Sequence, residues 1–194
     1  HYCIIGLLPS YLERKHSSLV YMVDKLIKAS GHAQSGFYLD DFVKLNEVLY
    51  DLENQKQKVW FIGVSFALTD FAIAFPQQLN STIVLETGGM KGRRKELVRA
   101  ELHEVLKNGF GVSEIHSEYG MTELLSQGYS QGNGLFQSAP SMRILLREVN
   151  DPFTYLPNFA IGEREIKERK RSKTGGVNVI DLANLHSCSF IDTQ

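Results

Sequence analysis

Lys58-Val59-Trp60-Phe61-Ile62-Gly63-Val64 is apolar at odd and even positions alike, so a strand built from it must be covered on both faces. The run is short for a helix, and its branched and aromatic side chains favour a pleated backbone. Ala67 to Phe75 follows as a short apolar helix ended by Pro76, and Thr82 to Glu86 reads as the next buried strand. Toward the N-terminus, Tyr2 to Leu8 is a similar strand, stopped by Pro9. Leu19, Met22/Val23 and Leu26/Ile27 recur at helical spacing behind a Ser17-Ser18 cap, with Gly31 as the stop. Phe42, Leu45, Leu49 and Leu52 mark a second amphipathic helix capped by Asp40 or Asp41. Toward the C-terminus, Arg94 to Asn108 reads as a long helix with Val98, Leu102 and Val105 inward, running into Gly109-Phe110-Gly111. Val112 to His116 is the fourth expected strand. Buried strands alternating with helices predict an α/β fold, a parallel sheet flanked by helices.

Beyond Gln127 the helical period stops. Gly128, Gly132 and Gly134 punctuate short stretches, Met142 to Val149 alternates like a strand, and Gly175-Gly176 turns into Val177 to Leu182. This predicts a parallel-sheet subdomain over 1–127 and a small β-rich subdomain over 128–194. The charged run from Gly162 to Lys173 reads as an exposed hairpin, with a phosphate or partner patch as the alternative. A net charge of −1 offers nucleic acid and anionic membranes nothing to bind, and no apolar run is long enough for a membrane span. Cys3 and Cys188, both in apolar surroundings, read as buried thiols in a reducing cytoplasm. The chain begins without Met inside a strand pattern and ends without a closing element, which reads as a piece of a longer protein.

The chemistry-bearing residues gather in two places. In His116-Ser117-Glu118-Tyr119-Gly120-Met121-Thr122-Glu123, Tyr119 offers a ring on which a base can stack. Gly120 lets the backbone approach a ligand, and Thr122 offers a hydroxyl to a phosphate. Glu123 supplies a hard oxygen of the kind Mg²⁺ accepts. In Glu86-Thr87-Gly88-Gly89-Met90-Lys91-Gly92, glycines lie between a strand and a helix, where ligands bind parallel sheets. Either could be a plain turn. Gly63-Val64-Ser65-Phe66-Ala67 has the outline of a nucleophile elbow, which leaves a serine hydrolase using Ser65 open. The histidines show no metal-ligand spacing and read as structural.

Tyr119-Gly120-Met121-Thr122-Glu123 resembles the YGxTE motif of the adenylate-forming superfamily of acyl-CoA synthetases, peptide-synthetase adenylation domains and luciferases. Thr87-Gly88-Gly89-Met90 is similar to that superfamily's adenine-contacting glycine segment. Within it, Leu8 to Arg14, Glu86 to Gly92 and Ile180 to Ile191 look like the LuxE-type acyl-protein synthetases, so the likeness extends over nearly the whole chain. The resemblance implies part of an adenylate-forming large domain. A fatty or other carboxylic acid would be activated by ATP and Mg²⁺ and passed to a thiol. That thiol would be a protein cysteine, among acyl reductase and acyltransferase partner subunits, or coenzyme A in a phenylacetate-type ligase. Tyr119 would stack on adenine, with Gly88, Gly89, Met90, Gly120 and Met121 around the nucleotide. Thr122 would hold the α-phosphate and Glu123 the Mg²⁺, while Ser65 and Phe66 would border the acyl pocket.

The departures matter equally. The superfamily's phosphate loop is expected upstream of His1, and its ribose-binding aspartate beyond Gln194. Its C-terminal domain with the catalytic lysine, and the LuxE-type acceptor cysteine, are not in the chain. The expectation is a folded fragment that is inactive alone.

Overall fold

The computed structural model describes residues 1–8, 17–39, 41–88, 97–151, 153–156 and 174–193. They fall into two compact units. The first comprises His1–Tyr119 and Tyr129–Phe136, and the second Gly120–Gly128 and Gln137–Gln194.

In the first unit, strands β1 (Cys3–Leu7), β2 (Gly36–Phe37), β3 (Val59–Val64), β4 (Thr82–Thr87) and β5 (His116–Tyr119) pair in parallel. With β6 (Gly128–Ser130) and β7 (Phe136–Ser138) they make one seven-stranded sheet in the order β2-β1-β3-β4-β5-β6-β7. The helices are α1 (Ser18–Ser30), α2 (Phe42–Asn54), α3 (Ser65–Ala74) and α4 (Arg99–Phe110). Ser17 caps α1 by accepting from Val20 N at 3.3 Å, and Gly31 ends it in the left-handed region. Asp41 caps α2 in the same way through Lys44 N at 3.0 Å.

The helices cover both faces. Gly6 of β1 lies under Val23 of α1, and its register partner Ile62 therefore faces α1 too. Phe61, one residue earlier, faces the opposite way and meets Phe71 of α3 at 5.9 Å and Phe110 of α4 at 5.7 Å. Phe71 also touches Phe42 of α2 at 5.4 Å, so an aromatic cluster ties three helices to one side of the sheet. Each such pair contributes about 0.5–1.5 kcal/mol beyond its burial. Gly63 is required by this packing: a Cβ there would stand 2.7 Å from Leu68 Cγ.

Four expectations need correction. The fourth strand runs over His116–Tyr119, not Val112–His116, because pairing with β4 begins only at Leu85↔His116. Ile115 is buried as the anchor of the segment leading in. The described helix α4 begins at Arg99 and turns Leu102, His103, Leu106 and Phe110 inward. Val98 precedes its first turn and is exposed, and Val105 is only half-buried. Cys188 is exposed, on the loop before the last strand, with its thiol donating to the Phe190 carbonyl at 3.2 Å; Cys3 is buried as expected. The short strands β2, β6 and β7 carry too few residues for an alternation to be visible. Pro9, Asp40, the 94–96 stretch and the 162–173 charged run lie outside the described residues.

In the second unit, β8 (Met142–Arg147), β9 (Gly176–Asp181) and β10 (Phe190–Asp192) form an antiparallel sheet in the order β10-β9-β8. Its buried organiser is Asp181, whose carboxylate accepts from Leu125 N and Ser126 N, both at 2.8 Å, from Ser126 Oγ at 2.6 Å and from Ala183 N at 3.1 Å. Burial works against its charge, but hydrogen bonds from the Ser126 side chain and from the backbones of Ser126, Leu125 and Ala183 outweigh it and hold the carboxyl below its ordinary range. The turn at 124–126 is thereby fastened to β9. Among the described residues, no helix is long and apolar enough to cross a membrane.

Candidate functional site

The carboxyl ends of β4 and β5 are in register, with Glu86 beside Ser117 and Thr87 beside Glu118. One residue on, Gly88 follows the end of β4 and Tyr119 is the last residue of β5. Gly88 has φ +70° and, among the described residues, nothing within 4 Å of where a Cβ would stand, so its backbone allows close approach. Tyr119 is half-buried and packs edge-on against Phe136 of β7, with centroids 6.2 Å apart.

Strand alternation sends the two register pairs to opposite faces. Glu86, paired with Gly63, faces α3 and α4. Its Oε2 lies 3.0 Å from Ser65 Oγ, at the first residue of α3. The single Ser65 hydroxyl hydrogen is shared between this oxygen and the Gly88 carbonyl. His103 Nε2 lies 3.6 Å from Glu86 Oε1 and 3.2 Å from Ser117 Oγ. Burial alone would raise the Glu86 carboxyl. Hydrogen bonds from His103, Ser117 and Ser65, with the charge His103 carries when protonated, overcome burial and bring it below its ordinary range. Arg99, one turn before His103, adds an Nε 4.0 Å from Oε1. The positive end of α4 favours the same charge.

On the other face the accounting does not close. Among the described residues, Thr87 Oγ1 and Glu118 Oε2 are buried without a hydrogen-bond partner, as is Glu114 Oε2. The Tyr129 hydroxyl hydrogen-bonds the Glu118 carboxyl, yet burial dominates and, with the Glu86 charge, raises that carboxyl above its ordinary range. Burial and this carboxylate push the Tyr129 phenol upward as well. Buried polar atoms are nearly always paired, so two neighbouring orphans at the mouth of a parallel sheet are candidates for contact with a ligand.

The remaining residues singled out above are found as follows. Ser65 and Phe66 are buried at the start of α3. Gly89 and Met90 lie outside the described residues. Gly120, Met121, Thr122 and Glu123 belong to the second unit, where Leu124 N donates to the Met121 carbonyl at 3.1 Å to close a turn. Thr122 and Glu123 are exposed on that turn, and Asn184 Nδ2 fixes it by donating to the Glu123 carbonyl at 2.6 Å. The register thus joins Gly88 to Tyr119 within one unit, while the hydroxyl and carboxylate of the motif are carried by the other. Among the described residues, no three His, Cys, Asp or Glu side chains gather into a metal cage. An exposed single carboxylate such as Glu123 suits a Mg²⁺ shared with substrate phosphates and water.

Glu86, His103, Ser117 and Arg99 were not singled out from the sequence. A carboxylate near the end of the apolar run Thr82 to Leu85 was the available signal, as was a histidine between the inward residues Leu102 and Leu106. The elbow at Ser65 holds its groups in an order unlike a hydrolase triad: the carboxylate stands between serine and histidine, so His103 is not placed as the base for Ser65.

No family model matches the chain, and neither a curated protein nor a solved structure shows significant similarity to it.

Proposed function

We propose that this chain carries the nucleotide-binding edge of an ATP-dependent acyl ligase, acting on a fatty or other carboxylic acid in the cytoplasm. The observation that supports it most is the register of Thr87 with Glu118. It brings a glycine turn beside a half-buried tyrosine at the carboxyl edge of a parallel sheet, with two polar atoms unpaired among the described residues one position back on the opposite face. The likeness of Tyr119 to Glu123 and of Thr87 to Met90 to the adenylate-forming motifs supplies the reaction.

In this reading the acid's carboxylate oxygen attacks the α-phosphorus of ATP. An acyl–phosphate bond forms and pyrophosphate leaves with the electron pair of the broken P–O bond. A protein cysteine thiolate then attacks the acyl carbon and displaces AMP. Tyr119 holds the base and Gly88 admits it. By the resemblance, Thr122 would donate to the α-phosphate and Glu123 would hold Mg²⁺, which would supply neutralisation of phosphate charge.

Acid-dependent exchange of pyrophosphate into ATP, measured across acids of increasing chain length with protein made from the complete reading frame, tests the proposal. Exchange should depend on the acid, and Tyr119→Ala should weaken ATP binding by about fivefold to a hundredfold, the worth of one stacked base. Folded protein that supports exchange with no acid, or binds ATP equally well without the Tyr119 ring, would overturn it.

A further inference from the structure

Arg99 is a half-exposed cation that makes few polar contacts among the described residues. It opens α4, and its guanidinium carbon stands 4.9 Å from the centroid of the Phe136 ring, the same ring that Tyr119 meets edge-on. Its recorded polar contact is through Nε, 4.0 Å from Glu86 Oε1 and at the outer limit of an ion pair. Glu86 already accepts from Ser65 Oγ at 3.0 Å and has His103 Nε2 3.6 Å from Oε1. Nη1 and Nη2 make no hydrogen bond among the described residues, and half of the side chain is open to solvent. A guanidinium pinned by a ring on one side and a carboxylate on the other has already lost much of its rotamer freedom. Such a fork is preorganised for two parallel bonds to an oxyanion.

The bland account is a surface cation resting on a ring, as Lys25 does over Tyr21 at 5.3 Å and Lys58 over Tyr2 at 5.9 Å. Those are flexible ammonium groups on exposed aromatics. Arg99 instead shares its ring with the tyrosine at the carboxyl edge of β5.

We propose that Arg99 is an anion-recognition residue whose terminal guanidinium nitrogens take an oxyanion of the ligand bound beside Tyr119. This rests on the nucleotide reading above. The oxyanion is a nucleotide phosphate or the carboxylate of the acid substrate, chemically alike in accepting two parallel N–H bonds.

Titration calorimetry with ATP, AMP and adenosine, on wild type, Arg99→Gln and Arg99→Lys, separates these sources. If a phosphate is held, Arg99→Gln weakens ATP and AMP by about tenfold to a hundredfold and leaves adenosine unchanged. Arg99→Lys keeps the charge without the fork and loses less. If the carboxylate is held, all three ligands bind as before while the KM for the acid in exchange rises about tenfold or more in Arg99→Gln. A residue that only supports the fold would change adenosine and ATP alike. That outcome, or unchanged binding and KM in both folded variants, overturns the role of Arg99. Wild-type protein that binds none of the three ligands instead removes the nucleotide reading, and this inference with it. Should Arg99→Gln fold poorly, the ATP-to-adenosine ratio and the acid KM of Arg99→Lys decide.

Discussion

Glu86 and Thr87 are consecutive residues of one strand, equally buried, and their polar atoms are treated in opposite ways. Toward α3 and α4, Glu86 is surrounded by donors from a helix start, a neighbouring strand and a helix interior. Toward α1, Thr87 and its register partner Glu118 keep oxygens with no partner. The difference teaches that burial alone does not tell a polar group the fold satisfies from one it leaves unsatisfied. What tells them apart is whether the fold itself completes the hydrogen bonds. Asp181 in the second unit falls on the structural side, since backbone and serine donors occupy its carboxylate.

The contrast is open to three measurements. Removing the completed carboxylate should cost most. Glu86→Ala leaves Ser65, Ser117 and His103 facing a void, and a loss of about 3 kcal/mol is expected in urea unfolding. A cost under about 1 kcal/mol would mean the network is not a structural one.

Next in size is the pH response, where the two glutamates act with opposite signs. The Glu86 carboxyl is lower in the folded state than unfolded, so its stabilisation is present above the ordinary value of about 4.5 and fades as pH falls through the lower folded value. The Glu118 carboxyl is higher when folded. The native state therefore binds the extra proton, and stability falls as pH rises from about 4.5 through the raised value. Glu118→Gln should remove that decline and leave the acid-side loss intact. Unfolding curves at several pH values read both limbs, and a variant whose curve parallels wild type would contradict the assignment.

Smallest is Thr87→Val, which replaces an orphaned hydroxyl with a methyl of the same shape. Stability should stay within about 1 kcal/mol of wild type or rise, because no bond is lost and an unpaired polar atom goes. ATP affinity should fall several-fold. A clearly destabilised Thr87→Val would show that the hydroxyl serves the fold after all.

Much of the architecture was legible because local chemistry declares it. The apolar runs of β1 and β3, the caps Ser17 and Asp41 and the stop at Gly31 each act within a few residues. The start of β5 was not legible: Val112 and Ile115 advertise burial, but the strand is defined by pairing with β4, a contact distant in sequence. The site divides in the same way. Gly88 and Tyr119 could be chosen from their motifs, whereas Arg99, His103 and Glu86 became a group only when α4 was laid across the end of β4. Cys188 looked interior from its neighbours, yet a short helical turn beginning at Leu182 and the loop after it carry it to the surface.

The first unit is assembled from two separated pieces of chain, with residues 120–128 of the second unit between them. Order of synthesis then matters. A nascent chain that has reached Tyr119 possesses α1 to α4 and β1 to β5 but neither Tyr129 for Glu118 nor Phe136 for Arg99. At about 5–20 residues per second, ribosomes supply the missing piece within seconds. For that interval the ligand edge has its backbone but lacks the rings that orient it, and so it is finished only after the polypeptide has begun the other unit.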